Sequence, residues 1–407
     1  MHGDIMMNKE KVVETEQTHM APLFWKRPLA IERGQGAYLY SREGGEYLDF
    51  TSNYGVAITG HSHPRVVQAI QGQAGKLISC HSSFYNEARS LFVDKLSEMA
   101  PKYLGRFYFS NSGTESVECA LKFARKATGK KGFIAMMNGY HGKTLGSLSL
   151  TWNKKYREPF MPLLQGVSHV PFGKAERLMD AITSDTAAVI LEPIQGESGI
   201  NIPPEGYLKE VRDICSDKGV LMILDEVQTG TGRTGRFLAT EHSGVQPDIV
   251  CLSKALASGF PLGATLCTED VASALKVGDH SSTFGGNPLA CSAGRATLDV
   301  IHDDGLMGNA TVMGEYLLKE LGNLLDYSVV RDVRGKGLML AVETRFDALN
   351  VIMGCMEKGL LVLDAGHNVV RLLPPLIITR DEADKAVGVL MEVVGEEDAA
   401  RKSGTAS

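Results

Sequence analysis

From about residue 106 onward, short apolar runs alternate with longer amphipathic stretches. Each short run ends at a polar residue or a glycine, which is typical of buried strands, whereas the longer stretches have helical spacing. The alternation predicts an α/β fold in which helices cover both faces of a mostly parallel sheet. The predicted strands span residues 106–110, 132–137, 187–192, 220–225, 249–252 and 264–268.

The segments on either side of this core are predicted to form a second, smaller α+β domain. The chain has 407 residues, more than the roughly 250–300 at which a single core stops growing. Residues 36–50 predict a β-hairpin, and the region after residue 301 predicts helices, strands at 333–342 and 360–363, and a last helix from Asp381. The expected divisions are a flexible arm at 1–20, small-domain segments at 21–54 and 301–395, a large domain at 55–300 and a mobile tail at 396–407.

Bulk properties exclude several classes of partner and site. The formal net charge is −6, so the chain has no extended basic surface for nucleic acid or anionic lipid. The seven cysteines are scattered, without Cys-x-x-Cys spacing, which argues against a disulfide framework and against a metal site. The sequence contains no stretch of about 20 apolar residues and its start does not resemble a signal peptide, so we expect a cytoplasmic protein without a membrane partner.

Three polar features follow predicted strands of the core. Asp225 closes one apolar strand, Lys254 lies just after the next one, and Asn111-Ser112-Gly113-Thr114 connects a strand to a helix predicted to end at Lys126. The carboxyl ends of neighbouring parallel strands meet at one edge of a sheet, so these features are expected to lie together. A helix N-terminus also offers free N–H groups to an anion.

This combination is what pyridoxal phosphate requires from a protein: an amine, a carboxylate for its ring nitrogen and a cradle for its phosphate. Each part alone has an ordinary structural explanation, since an aspartate after a strand or a Ser-Gly-Thr before a helix is often only a cap. The ordered combination favours a site for this cofactor, with Lys254 as its covalent attachment point.

The motifs around these residues resemble those of the class III aminotransferases, most closely the ornithine, acetylornithine and lysine-biosynthesis members. The similar segments are Asp225-Glu226-Val227-Gln228-Thr229-Gly230, Leu252–Ala255, Glu192-Pro193-Ile194-Gln195-Gly196-Glu197 and Ser282-Thr283-Phe284-Gly285-Gly286-Asn287-Pro288. The resemblance runs from about residue 30 to 395. It implies a fold type I transferase, with a seven-stranded sheet in the large domain, and a homodimer with shared active sites.

The resemblance also implies residue roles. The implied catalytic residues are Lys254, which would carry the proton, Asp225 on the ring nitrogen, and Glu192. The implied cofactor contacts are Ser112, Gly113, Thr114, Tyr140, His141 and Gln228, together with Thr283, which would reach the phosphate of the neighbouring subunit. The implied substrate residues are Tyr54, Tyr85 in the channel wall, Lys143, Arg371 for the carboxylate of 2-oxoglutarate, and Glu197 as a switch that covers this arginine.

Lys143 departs from the pattern that it resembles, because members of this branch commonly have an arginine there. A lysine supplies a point contact instead of a planar fork, so its grip on a substrate carboxylate should be weaker. The implied reaction moves an ω-amino group from acetylornithine, ornithine or lysine on an acidic carrier protein to 2-oxoglutarate. Transfer from putrescine or 4-aminobutyrate, or an aminomutase or racemase reaction on the same fold, stays open.

Two further motifs are interpreted as structural. Gly230-Thr231-Gly232-Arg233-Thr234-Gly235 fits a dinucleotide-binding pattern, but four mostly polar residues separate it from the strand and no helical periodicity follows. His61-Ser62-His63 contains two possible metal ligands without acidic or cysteine neighbours, and a turn before Pro64 explains it better.

Overall fold

A computed structural model of the protein describes residues 7–404. The N-terminal part contains α1 (Lys9–His19), β1 (Ile31–Gln35), β2 (Tyr38–Ser41), β3 (Glu46–Asp49) and a distorted turn, α2 (Ser52–Gly55). The central part contains α3 (Pro64–Ala74), α4 (Glu87–Met99), β4 (Arg106–Ser110), α5 (Gly113–Thr128), β5 (Gly132–Met136), α6 (Leu145–Leu150), α7 (Lys154–Arg157), β6 (Val167–Val170), α8 (Glu176–Ala181), β7 (Thr186–Leu191), α9 (Tyr207–Lys218), β8 (Leu221–Asp225), β9 (Ile249–Leu252), β10 (Gly263–Cys267), α10 (Glu269–Ser273) and α11 (Pro288–Asp303). The C-terminal part contains α12 (Leu306–Leu321), β11 (Val330–Lys336), β12 (Met339–Thr344), α13 (Leu349–Glu357), β13 (Leu360–Leu361), β14 (Leu363–Asp364), β15 (Val369–Leu372) and α14 (Arg380–Lys402).

The central sheet has seven strands in the order β4-β10-β9-β8-β7-β5-β6. Its strands β9, β8, β7, β5 and β6 pair in parallel, and β10 runs antiparallel to both of its neighbours. Strands β5, β7 and β9 are buried along their whole length, and apolar clusters cover both faces of the sheet. The predicted α/β fold with a mostly parallel seven-stranded sheet is confirmed.

The reversed strand β10 begins at the edge where β8 and β9 end. Its first residue, Gly263, pairs with Ser110 at the end of β4. A Cβ atom at Gly263 would lie only 2.5 Å from the carbonyl oxygen of Ser112 and 2.7 Å from the hydroxyl of Ser116. Strand β10 therefore packs directly against the turn that starts helix α5.

Two four-stranded sheets lie outside the central sheet, in the orders β1-β2-β3-β13 and β11-β12-β15-β14. The hairpin expected at residues 36–50 is present as β2 and β3, with Tyr38 opposite Leu48. Strand β13 pairs in parallel with β3, and Leu48 and Phe50 share an apolar cluster with α12, α13 and α14. The two ends of the chain thus pack into one unit.

Several local predictions differ from the structure. Residues 333–342 form parts of the hairpin β11–β12 instead of one strand, because Gly337 turns the chain with φ +55°. Strand β6 was not predicted. The mobile tail expected at 396–407 is wrong as far as residue 402, since α14 continues to Lys402 and buries Asp398 against the hydroxyl of Ser328; residues 405–407 lie outside the described chain.

The arm expected at 1–20 contains helix α1, none of whose residues is buried. Residues 1–6 of this arm lie outside the described chain. Within residues 7–404, no helix is both long and apolar enough to cross a bilayer.

Candidate active site

A cavity of about 280 Å³ opens at the edge of the central sheet where β8 and β9 end. It brings together most of the predicted site residues from five separate parts of the chain. Its lining consists of Gly113, Thr114, Tyr140, His141, Gly142, Lys143, Glu192, Glu197, Asp225, Val227, Gln228 and Lys254.

Asp225 is the last residue of β8 and is held in one orientation. Its Oδ1 accepts a hydrogen bond from the backbone N–H of Val227 at 3.1 Å, and its Oδ2 lies 2.8 Å from Nδ1 of His141. The ring of His141 is buried, and its Nε2 has no partner among residues 7–404. His141, expected as a cofactor contact, lines the cavity and fixes the carboxylate of Asp225.

Lys254 follows β9 and begins a short 3₁₀ turn, Lys254–Ala257. Its backbone has φ +39°, in the left-handed region that non-glycine residues rarely adopt, and such strain is typical of functional sites. Burial lowers the pKa of Lys254, and the guanidinium of Arg371 lowers it further, against the opposing effect of Glu197. The amine is consequently more readily neutral, which is the form that attacks a carbonyl.

The N-terminus of α5 forms one wall of the cavity. The hydroxyl of Ser112 accepts from the N–H of Glu115 and donates to its carboxylate at 3.0 Å, so this side chain caps the helix instead of lining the cavity. Gly113 and Thr114 do line it, and the hydroxyl of Thr114 bonds that of Ser147 at 2.6 Å. The predicted anion cradle thus consists of Gly113, Thr114 and the free N–H groups of a 16-residue helix.

The shape of this wall fits a phosphate-bearing cofactor. A Cβ atom at Gly113 would lie 2.7 Å from a methyl carbon of Val227, and one at Gly142 would collide with the hydroxyls of Thr114 and Ser147. Only glycine at both positions keeps the cradle open. An amine of lowered pKa, a fixed acid and an anion cradle around one cavity are the donor set for pyridoxal phosphate.

Glu192 lies under the cavity and joins two loops. Its Oε1 accepts the N–H of Tyr140 and its Oε2 accepts the N–H of Gly196, both at 3.0 Å. Burial raises the pKa of Glu192 to about 7; His141 opposes this shift and the charge of Asp225 adds to it.

Arg371 enters the site from β15 and is completely buried. Its Nη1 donates to Oε1 of Glu197 at 2.9 Å and to Oε1 of Gln228 at 3.3 Å, while its Nε has no partner among the described residues. The guanidinium also lies 5.4 Å from the ring centre of Tyr54. Tyr54 reaches it from a turn in which three consecutive residues, 52–54, have positive φ.

Lys143 stands at the mouth of the cavity over two aromatic rings. Its Nζ lies 3.0 Å from the ring centre of Tyr156 and 5.9 Å from that of Tyr140. Partial desolvation lowers the pKa of Lys143, while Glu197 raises it. Sequence reasoning missed Tyr156, because its place beside Lys143 depends on the packing of α7, which no motif marks.

Five predicted residues do not line this cavity: Ser112, Tyr54 and Arg371, described above, and Tyr85 and Thr283. Tyr85 is fully exposed, and Thr283 is exposed in the loop before α11. The expectation that His61 lacks an acidic neighbour is wrong, because its Nε2 lies 2.7 Å from Oδ2 of Asp49. No group able to hold a metal ion occurs in the described part of the chain. The glycine-rich motif at 230–235 leads into no helix of the dinucleotide-binding kind.

The family described as class-III aminotransferases matches residues 23–394, nearly the whole chain. The chain belongs to the class-III aminotransferases. The resemblance seen in its motifs is confirmed, and the protein is a pyridoxal-phosphate-dependent transaminase.

Curated relatives of this aminotransferase align over almost all of its length. Acetylornithine aminotransferase of Methanopyrus kandleri is 47% identical over 369 residues, covering 90% of this chain and 94% of the relative. Acetylornithine aminotransferase of Methanosarcina acetivorans is 44% identical over 389 residues, covering 95% and 97%.

Solved structures of similar transaminases superpose closely. Ornithine aminotransferase of Toxoplasma gondii is 33% identical with a TM-score of 0.93, covering 97% of both chains. Acetylornithine aminotransferase of Elizabethkingia anophelis is 35% identical with a TM-score of 0.86, covering 96% of this chain and 100% of the other.

Proposed function

We propose that this aminotransferase moves the ω-amino group of N-acetylornithine to 2-oxoglutarate, giving a semialdehyde and glutamate. Support comes from relatives at 42–47% identity that carry the name acetylornithine aminotransferase. Ornithine and carrier-linked lysine have the same ω-amine and remain alternative donors of the same branch. The carrier-linked donor would add an acidic protein as a partner.

The observation that carries the proposal is the pair Glu197–Arg371. A completely buried guanidinium ordinarily has a permanent anionic partner, but Glu197 is about one-third exposed and lies at the cavity wall. Glu197 can therefore turn away and leave Arg371 to a substrate carboxylate. A site that must accept an ω-amine in one half of the reaction and a 2-oxo acid in the other requires such an exchange.

The residues of the site have separate proposed roles. Pyridoxal phosphate, when bound, supplies an electron sink for the carbon that loses its proton. Nζ of Lys254 would hold the cofactor, and its amine would carry that proton as a general base and acid. Asp225, fixed by His141, would pair with the ring nitrogen and favour its protonated form. Glu192 keeps the loop of Tyr140 against the cavity.

Lys143 is proposed to hold the carboxylate of the amine donor. An ammonium group at the cavity mouth supplies charge without the two-pronged geometry of arginine. A second candidate donor, a diamine such as putrescine, is favoured by the 3.0 Å stack of Lys143 on Tyr156, since a lysine occupied by a ring would leave no anchor for a carboxylate.

We also propose that the enzyme works as a homodimer in the cytoplasm. Thr283 and Tyr85 lie outside the cavity of their own chain, and the apolar side chains of Phe84 and Phe284 beside them are 67% and 62% exposed. A second subunit would cover these rings, and Thr283 would then contact the cofactor phosphate bound in that second subunit. All seven cysteines are free and six are buried, as suits a reducing compartment.

The test is a screen of half-reactions on the purified holoenzyme. N-acetylornithine, ornithine, carrier-linked lysine, putrescine and 4-aminobutyrate are each added alone, and the loss of the cofactor's visible absorbance is followed. N-acetylornithine should give the highest kcat/KM, and 2-oxoglutarate should then restore the absorbance. A preference for putrescine would establish the second candidate instead, and failure of every donor would refute a transaminase of ω-amines.

A further inference from the structure

The glycine-rich loop 230–235 is built into the joint between the central sheet and the small domain. Four residues separate it from Asp225 in the sequence. Just before the loop, Glu226 accepts from the hydroxyl of Thr229 at 2.6 Å and from two backbone N–H groups at 2.8 Å. A Cβ atom at Gly232 would lie 3.1 Å from the side chain of Leu376. The loop therefore has little freedom to move relative to the central sheet or to the small domain.

Arg233 projects from this loop and is completely buried. Its Nη1 donates to the carbonyl oxygen of Leu338 at 3.0 Å and to that of Pro374, and its own carbonyl accepts the N–H of Leu338. No ion pair joins it to a carboxylate among residues 7–404, and its Nε and Nη2 have no hydrogen-bond partner there. Burial alone lowers the pKa of Arg233 to about 9.

A buried guanidinium without an anion is costly, so stability alone is a poor reason for its presence. The two carbonyls that it binds have a common feature. Leu338 immediately precedes β12, and Pro374 lies just beyond β15, the two strands that pair Ala341 with Arg371. Arg233 thus ties β12 and β15 together at one end of the strand pair that carries the substrate arginine.

The same side chain also reaches the turn that carries Tyr54. A Cβ atom at Gly55 would lie 3.8 Å from Nη2 of Arg233 and 3.6 Å from the side chain of Leu373. Tyr54 and Gln228 both contact the guanidinium of Arg371. Three of the contacts that hold Arg371 (its strand pair, the Tyr54 turn and the Gln228 segment) therefore converge on Arg233 or its loop.

We propose that Arg233 is a positioning residue that sets the guanidinium of Arg371 relative to Asp225 and the cofactor site. It does not line the cavity. Its loss should weaken the binding of a 2-oxo dicarboxylate, which depends on Arg371, more than the binding of the ω-amine donor, during which Glu197 covers Arg371. The inference rests on the proposed function for this division between substrates.

The test compares Arg233→Met and Arg233→Lys with Leu317→Ala, which would leave a cavity in the small-domain core on α12. Calorimetry on the holoenzyme measures the dissociation constant of glutarate, an unreactive five-carbon dicarboxylate, and kinetics measure KM for each substrate. For Arg233→Met we expect glutarate affinity to fall by about tenfold, with KM for the amine donor within twofold of the wild type. Arg233→Lys, which keeps a donor, should lie between.

Unchanged glutarate affinity in Arg233→Met would overturn the inference, and so would an equal loss for both substrates. The same selective loss in Leu317→Ala would also overturn it, because general loosening of the domain would then suffice. If Arg233→Met does not fold, the comparison of Arg233→Lys with Leu317→Ala decides in the same way. These outcomes differ from failure of the proposed function, which the wild type would show by not using N-acetylornithine.

Discussion

The carboxylate of Glu197 covers the guanidinium of Arg371 in a two-point contact, with Oε1 2.9 Å from Nη1 and Oε2 3.5 Å from Nη2. Burial by itself would raise the pKa of Glu197, but Arg371 and then Lys254 outweigh it and hold that pKa below its usual range. Glu197 is therefore ionised throughout the neutral range. The pair must open by rotation of a side chain and not by protonation.

Removing the cover should change which donors the enzyme accepts. In Glu197→Ala the guanidinium of Arg371 is exposed permanently, so kcat/KM should fall for N-acetylornithine and rise for glutamate as donor. The ratio of the two should change at least about tenfold, since loss of a desolvated charge pair exceeds about 1.4 kcal/mol. Half-reaction rates by stopped-flow absorbance measure it. Glu197→Gln, which keeps a hydrogen bond, should be intermediate; an unchanged ratio in Glu197→Ala would contradict the switch.

Lys254→Ala should abolish turnover while the fold persists. Loss of the attachment point and of the proton carrier together should lower kcat by at least about 10⁴-fold, the usual scale for loss of a group that forms a covalent bond. Borohydride treatment followed by mass spectrometry should find the cofactor on Lys254 of the wild type only. Lys122→Ala, at an exposed lysine, is the control. Near-parental activity in Lys254→Ala would refute the assignment.

Lys143 should give substrate binding a pH dependence that an arginine would remove. Partial desolvation lowers the pKa of Lys143 from its ordinary 10.5, so its charge is lost at a lower pH than that of a free lysine. KM of the wild type for N-acetylornithine should therefore rise with pH earlier than KM of Lys143→Arg, which stays charged. The ratio of the two KM values from pH 7 to 10 tests this; a constant ratio would show that Lys143 does not hold the carboxylate.

Glu226 should make the enzyme less stable as the pH rises. Burial raises its pKa from 4.5 to about 7, although Thr229 and two backbone N–H groups favour the charged form. The folded protein thus holds a proton that the unfolded chain releases, and its contribution, on the order of 3 kcal/mol, is present below pH 4.5 and lost as the pH passes 7. The free energy of unfolding of Glu226→Gln relative to the wild type should therefore increase from pH 5 to pH 8.

The control for that measurement is Glu205→Gln, at an exposed carboxylate outside the joint. It should follow the wild type at each pH. If the difference between Glu226→Gln and the wild type were independent of pH, the buried carboxyl would not titrate in this range.

The strands were predictable where burial on both faces makes the whole run apolar. Strand β9, Ile249–Leu252, was predicted with its exact ends for this reason. Strand β6, Val167–Val170, was missed because it pairs only with β5 at the edge of the sheet and contains Ser168 and His169. The end of α14 was missed because its polar composition suggested a tail, although Asp398 and Lys402 have the helical i,i+4 spacing of an ion pair.

The site was predictable where the chemistry needs a particular side chain at the end of a strand. Asp225 and Lys254 are such residues. Contacts made by tertiary packing were not. The bond of His141 to Asp225 crosses 84 positions of sequence, and the stack of Tyr156 on Lys143 depends on a four-residue helix. The role of Arg233 was hidden by a motif that suggested nucleotide binding, because its partners are backbone carbonyls, which have no sequence signature.

Strand β10, which runs against its neighbours, has a consequence for engineering this enzyme. Because Gly263 is in contact with the turn before α5, even a single methyl group there would push that turn outward and reshape the anion cradle from behind. Substitutions intended to change donor preference belong at the cavity mouth, around Lys143. The side of the cradle that packs on β10 cannot accept them, although it faces away from the cavity.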